Sequence, residues 1–208
     1  MKTSSTEPSD AIVKDILNTM IAQGELAFGL IRIVGCTVAL VQIWLLFGLS
    51  WLDPSRLDVL TAVLGSTFFG SWWLKRRIER DGPLPKWLAT SLALDRFGIF
   101  GSIFCLILWP ANAYTGMALI PENGFICLIT IASGLRLSSK LALSASLFDA
   151  ITLFALLRLD QALNGDRIDT TVANEVMMLL ILVLCGAIAW TISRRSAVLV
   201  RRGATEAP

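Results

Sequence analysis

Residues 87–109 read WLATSLALDRFGIFGSIFCLILW. The stretch is 23 residues long, with a tryptophan at each end and no proline. A bilayer core about 30 Å thick is crossed by about 20 apolar residues in a helix. The stretch therefore reads as a membrane-spanning helix, and its two charges, Asp95 and Arg96, fall inside the apolar region.

Five further runs resemble it, near 27–50, 57–74, 117–135, 140–158 and 173–193. The connections between them are short and carry Pro, Gly, Asn and Asp, as in WLDPSR, RRIERDGPLPK, WPANAYTG and NGDRID. Such residues punctuate helices. The fold expected is all-α: a polytopic membrane protein, a six-transmembrane-helix bundle with both termini cytoplasmic. The expected parts are a cytoplasmic N-terminal segment over 1–24, a transmembrane domain over 25–193 and a short basic tail over 194–208. Ala11–Ala22 has the pattern of an amphipathic helix leading into the first span, with Ser9 or Asp10 as cap.

Orientation follows from the loop cations, which concentrate on the cytoplasmic side. With the N-terminus inside, thirteen Lys and Arg fall on the inner side, among them Lys75, Arg76, Arg77, Lys86, Arg136, Lys140 and Arg194. Only Arg56, Arg158 and Arg167 fall outside. Six of the seven tryptophans lie near span ends, where amphipathic rings settle; Trp44 is the exception.

Composition narrows the chemistry. Of 208 residues 55% are hydrophobic and 16% charged, against about 25% charged in soluble domains. A net charge of +2 gives no footprint for nucleic acid. The sequence has no histidine, which removes the commonest zinc ligand and general base. Cys36, Cys105, Cys127 and Cys185 each lie in an apolar run without a CxxC pair, so they read as small buried hydrophobes. No cofactor and no metal are expected. An enzyme working within the membrane would have only Asp95, Arg96 and Asp149 to use, and no enzymatic activity is expected.

The intramembrane charges are the candidate site: Glu25, Arg32, Asp95, Arg96 and Asp149. Lys86 and Asp95 are nine residues apart, and so are Lys140 and Asp149, which places the two aspartates at similar depth, about 13 Å from the inner face. An unpaired charge at the bilayer centre costs roughly 2.5–3.5 kcal/mol on insertion scales. Pairing is therefore expected, Arg96 with Asp149 and Arg32 with Asp95 or Glu25. Such a set fixes helix register, forms a ligand pocket, proton relay or switch, or, for Arg32, reflects snorkelling. Asp58 and Glu175, at outer span ends, are expected in solvent. Small residues at four-residue spacing, Ala62, Ser66 and Gly70 in the second span and Ala142, Ser146 and Ala150 in the fifth, allow close helix packing in the bundle or in a dimer.

Several features together resemble the N-terminal six-helix membrane module of bacterial membrane-bound class III adenylate cyclases. Glu25 and Arg32 enter the first span, KRRIERDGPLPKW links the second and third, SGLRLSSKLALSASLFDAITLFALL covers the turn into the fifth, and the sixth runs into WTISRRSAVLVRRGA. The resemblance implies a sensor or regulatory module in a bacterial inner membrane, with the sixth helix leading to a cytoplasmic output. It implies no catalytic residue, because the cyclase domain is not in this sequence. The partners it suggests are membrane lipids, a second copy of the chain and a cytoplasmic cyclase or kinase. Two other readings stay open: a small transporter or channel using the same charges, and an assembly protein that recruits membrane helices.

Overall fold

A computed structural model of the chain describes residues 8–49, 54–110, 114–119, 123–136 and 139–205. They form six α-helices: α1 Pro8–Gly48, α2 Pro54–Asp81, α3 Pro85–Leu108, α4 Asn123–Gly134, α5 Ser139–Asn164 and α6 Val172–Thr205. Single 3₁₀ turns lie at Met117–Leu119 and Gly165–Arg167. Between their end turns helices satisfy the backbone donors and acceptors internally, which apolar surroundings demand.

All of these helices except α4 are long and apolar enough to cross a membrane. α4 has 12 residues, about 18 Å, and together with the 3₁₀ turn before it occupies the stretch expected as a fourth span. Two helices run past their expected ends. α1 is continuous over 41 residues, so the amphipathic stretch and the first span are one helix, and Ser9 and Asp10 lie inside it. α6 continues for 34 residues, well beyond a span of about 20. Trp51, Lys2 and the last three residues lie outside the described residues.

Cross-helix contacts fix the topology. α3 and α5 run parallel, since Arg96 meets Asp149 midway along them and Ile107 meets Asn164 at their C-terminal ends. α4 returns the chain between them, from Asn123 beside Met117 to Arg136 beside Asp95. α6 descends from Glu175, paired with Arg158, to Ala189, packed on Gly134. Glu25 of α1 meets Arg136 at that same end. The N-terminal part of α1 and the C-terminal part of α6 therefore leave the bundle on one side, the side that loop charge assigns to the cytoplasm.

α1 packs chiefly along α2, α2 along α3, and α4, α5 and α6 pack on one another. The apolar core lies toward the outer end, where Phe100, Ile103 and Ile107 of α3 meet Ile126, Leu153, Leu157 and Leu182. Ile103 and Ile107 are fully buried. Outward faces are equally apolar: Ile31, Val38 and Leu45 on α1 and Leu143, Leu147 and Ile151 on α5 are all exposed. An apolar exterior around an apolar core is the pattern of a helix bundle solvated by lipid.

The two small-residue stripes part company. Ala142 is fully buried, Ser146 lies against Gly186 of α6, and Ala150 packs on the core. Ala62 and Ser66 face outward, exposed, and in the second span it is Gly70 that meets a neighbouring helix, at Leu94 of α3. α2 instead turns Val63 and Thr67 toward Gly101 and Gly98 of α3, one ridge further round. The small side chains that admit close approach there belong to α3. Among the described glycines the tightest site is Gly134, where a Cβ would stand 2.3 Å from the carbonyl oxygen of Ala189.

Candidate functional site

Two neighbouring charge clusters occupy the half of the bundle nearer the termini. The first draws on α1, α3 and the residue two beyond α4, with Ser71 of α2 accepting from Arg32 Nη1 at 3.4 Å. Arg32 Nε lies 2.7 Å from Asp95 Oδ1. Arg136 Nη2 donates to Asp95 Oδ2 at 2.8 Å, and Arg136 Nε meets Glu25 Oε1. Asp95 thus bridges two guanidinium groups, and Arg136 bridges two carboxylates. Ser91 sits in the middle, one helical turn before Asp95. Its hydroxyl donates to Glu25 and accepts from Arg32 Nη2 at 2.6 Å and from Arg136 Nη2 at 3.1 Å. Glu25, Ser91 and Arg136 are buried, at 2%, 0% and 3% exposure. Two carboxylates and two guanidinium groups leave the cluster neutral, which is the condition for holding ionised groups away from water. Phe28 adds its ring face, with centroid 5.2 Å from the Arg136 guanidinium carbon.

The second cluster lies one residue along α3 and faces the other way. Arg96 Nη2 donates to Asp149 Oδ2 at 2.9 Å, and Nε lies 2.8 Å from Oδ1, a two-point contact. Arg96 Nη1 also donates to the Leu92 carbonyl at 3.1 Å. The Thr130 hydroxyl of α4 has one proton for two acceptors, Asp149 Oδ2 at 2.9 Å and the Ile126 carbonyl at 2.8 Å. Asp149 is wholly buried. Arg96 also lines a groove of about 680 Å³ between α3 and α5, together with Phe97, Phe100, Phe104 and Phe148.

A third polar group closes the outer end. Asp160 accepts the Met117 N–H at 2.7 Å and Asn164 Nδ2 at 2.8 Å. Asn164 Nδ2 also donates to the Ile107 carbonyl, and Asn123 Nδ2 to the Met117 carbonyl. These bonds tie the α3–α4 connection down over the core. Burial, and then the nearby Asp160 carboxylate, hold the Tyr114 hydroxyl well above the ordinary phenol range. Glu175 pairs with Arg158 and is buried, whereas Asp58 is exposed.

The pairings expected from the sequence are those found: Arg96 with Asp149, and Arg32 with Asp95. Glu25 goes to a different cation. Arg136, counted among the inner loop charges, is instead buried as the link between α1 and α3. Glu175, expected in solvent, is buried against α5 because α6 starts beside the last turns of α5. Ser91 and Asp160 carried readable signals. Ser91 precedes Asp95 by four residues, and Asp160 follows Asp149 by eleven, which is three turns along the buried face of α5. Arg136 carried less: it stands between two leucines, but so does Arg158, which is nearly half exposed. Among the described residues no group of three or more Cys, Asp or Glu is placed to hold a metal ion.

Fold and site together define a multi-pass α-helical membrane bundle with paired charges inside it. No family model matches the chain, and neither the curated proteins nor the solved structures contain a match to it.

Proposed function

We propose that the protein is a membrane sensor or regulatory module, in which a change of packing around the Glu25–Arg32–Asp95–Arg136 cluster passes to the cytoplasmic extension of α6 and on to an output such as a nucleotide cyclase or kinase. One observation carries the reading. Arg136, which ties α1 to α3, stands two residues beyond Gly134, whose backbone lies against Ala189 of α6. α6 then continues through Thr205. Contact at that distance leaves no soft side chain to absorb a displacement, so a shift of Arg136 moves α6 as well. A charge cluster with alternative pairings is the kind of two-state element that switching needs.

The test is a distance measurement between spin labels at Arg80→Cys and Val198→Cys, with the four native cysteines replaced by alanine. Arg136→Gln is expected to shift the distance distribution in a protein that remains folded. An unchanged distribution removes the proposal.

A second reading, an ion or proton path, draws on carboxylates at two levels of the bundle, Asp95 with Asp149 at one and Asp160 at the other, of which Asp149 and Asp160 are buried. Proton or cation flux in liposomes, abolished by Asp160→Asn, is the result that would replace the sensor reading with this one.

A further inference from the structure

The inner ends of α2 and α3 carry cations that neither charge cluster uses. Segment 75–86 holds five cations, Lys75, Arg76, Arg77, Arg80 and Lys86, against two carboxylates, Glu79 and Asp81. Lys75 lies 3.8 Å from Glu79. Among the described residues no carboxylate lies within 4 Å of Arg76, Arg77 or Lys86, and all three are exposed. They are held over tryptophan rings instead. The Arg76 guanidinium carbon is 3.9 Å from the Trp72 ring centroid, that of Arg77 is 5.5 Å from Trp73, and Lys86 Nζ is 4.5 Å from Trp87. The spacing makes the first two possible, since Trp72–Arg76 and Trp73–Arg77 are each one turn apart.

Trp73 and Trp87 meet edge to face across the two helices, centroids 5.4 Å apart at 85°. Arg77 lies against the first ring of this pair and Lys86 against the second. The turn that brings them together depends on Gly82 at φ +74° and Pro85 at the first position of α3. α3 begins with no side-chain cap, so the positive end of its dipole adds to the same field. Exposed tryptophans next to unpaired cations mark the level of lipid headgroups.

We propose that Arg77 and Lys86, flanking the Trp73–Trp87 pair and reinforced by Arg76, form a binding site for the phosphate of an anionic phospholipid of the inner leaflet. The cations take the phosphate oxygens while the indole faces cover the glycerol and upper acyl region. Stacking holds the cations in place before the lipid arrives, so little side-chain freedom is lost on binding. The site is independent of the sensor reading above.

The test is native mass spectrometry of the full chain in neutral detergent, titrated with phosphatidylglycerol, with phosphatidylcholine of the same acyl chains, or with inorganic phosphate. Phosphatidylglycerol is expected to bind in preference to phosphatidylcholine. The double variant Arg77→Gln/Lys86→Gln is expected to weaken it about 25-fold, from the roughly 1 kcal/mol that each cation contributes at an anionic surface. The charge-matched variant Lys140→Gln/Arg195→Gln, at the same side but away from the tryptophan pair, is expected to bind as wild type. Should the first double variant fold poorly, Arg76→Gln alone is expected to give a loss of about fivefold. Equal loss in both double variants, equal affinity for the two lipids, or full competition by inorganic phosphate at equal concentration would each overturn the proposal. The last of these would assign the site to a free anion.

Discussion

Replacing Asp149 by asparagine keeps the shape of the side chain and removes its charge. The carboxylate is wholly buried and holds Arg96, itself 6% exposed, by two contacts. Asparagine can still accept from the guanidinium at one oxygen, but its amide presents protons where the second oxygen stood. Arg96 then remains as a buried cation facing a donor. Breaking a buried pair in this way costs about 3–5 kcal/mol. For a chain of this size each 1 kcal/mol moves the melting midpoint by about 2–4 °C. Asp149→Asn should therefore lower the midpoint in detergent by roughly 6–20 °C, measured by circular dichroism. Removing both partners, as Arg96→Met/Asp149→Leu, leaves no orphan charge and should recover most of the loss. The pair Lys75–Glu79 on α2 is the internal control. Both side chains are more than a third exposed, so Glu79→Gln should cost no more than about 1 kcal/mol. A midpoint that Asp149→Asn leaves within about 2 °C of wild type, or a double variant less stable than the single, would refute the account of a desolvated ion pair.

Other perturbations discriminate among the remaining parts. Arg136→Gln strips a cation from both Glu25 and Asp95 and should destabilise by about 3–5 kcal/mol, with Arg136→Lys intermediate because an ammonium cannot fork between two carboxylates; chemical denaturation in mixed micelles reads both. Gly134→Ala forces α4 and α6 apart and should cost more than about 2 kcal/mol, whereas Gly35→Ala, with nothing near its added methyl, should change stability by at most about 1 kcal/mol; paired thermal melts decide it, and equal effects would contradict the close approach at Ala189. Tyr114 is the one tyrosine, so alkaline absorbance titration reports it alone. Its raised value means that the folded state keeps a proton the unfolded chain releases near pH 10, so its contribution to stability is present below about pH 10 and is lost as pH climbs above it. Phenolate absorbance rising at the free-tyrosine midpoint in the folded protein would refute this, and Asp160→Asn should bring the midpoint down.

The sequence by itself determined that the chain is a helical membrane bundle, because the length and apolarity of a span are local properties and lipid leaves the backbone no alternative. The loop-charge asymmetry and the depth of Asp95 and Asp149 were local as well, and with them the economy of pairing Arg96 with Asp149. Tertiary structure decided everything that depends on which way a helix is rotated. In the second span the small residues and Val63–Thr67 offered two ridges of similar apolarity, and only packing against α3 chose between them. Arg136 shows the same limit from the other side. In sequence it is one more inner cation near a turn. In the bundle, α4 and the turn after it carry Arg136 back between Glu25 of α1 and Asp95 of α3, 111 and 41 residues distant. Lipid is as apolar as leucine, so hydrophobicity cannot tell a helix face that meets protein from one that meets acyl chains; pairing of charge and closeness of backbones make that choice, and both exist only in three dimensions.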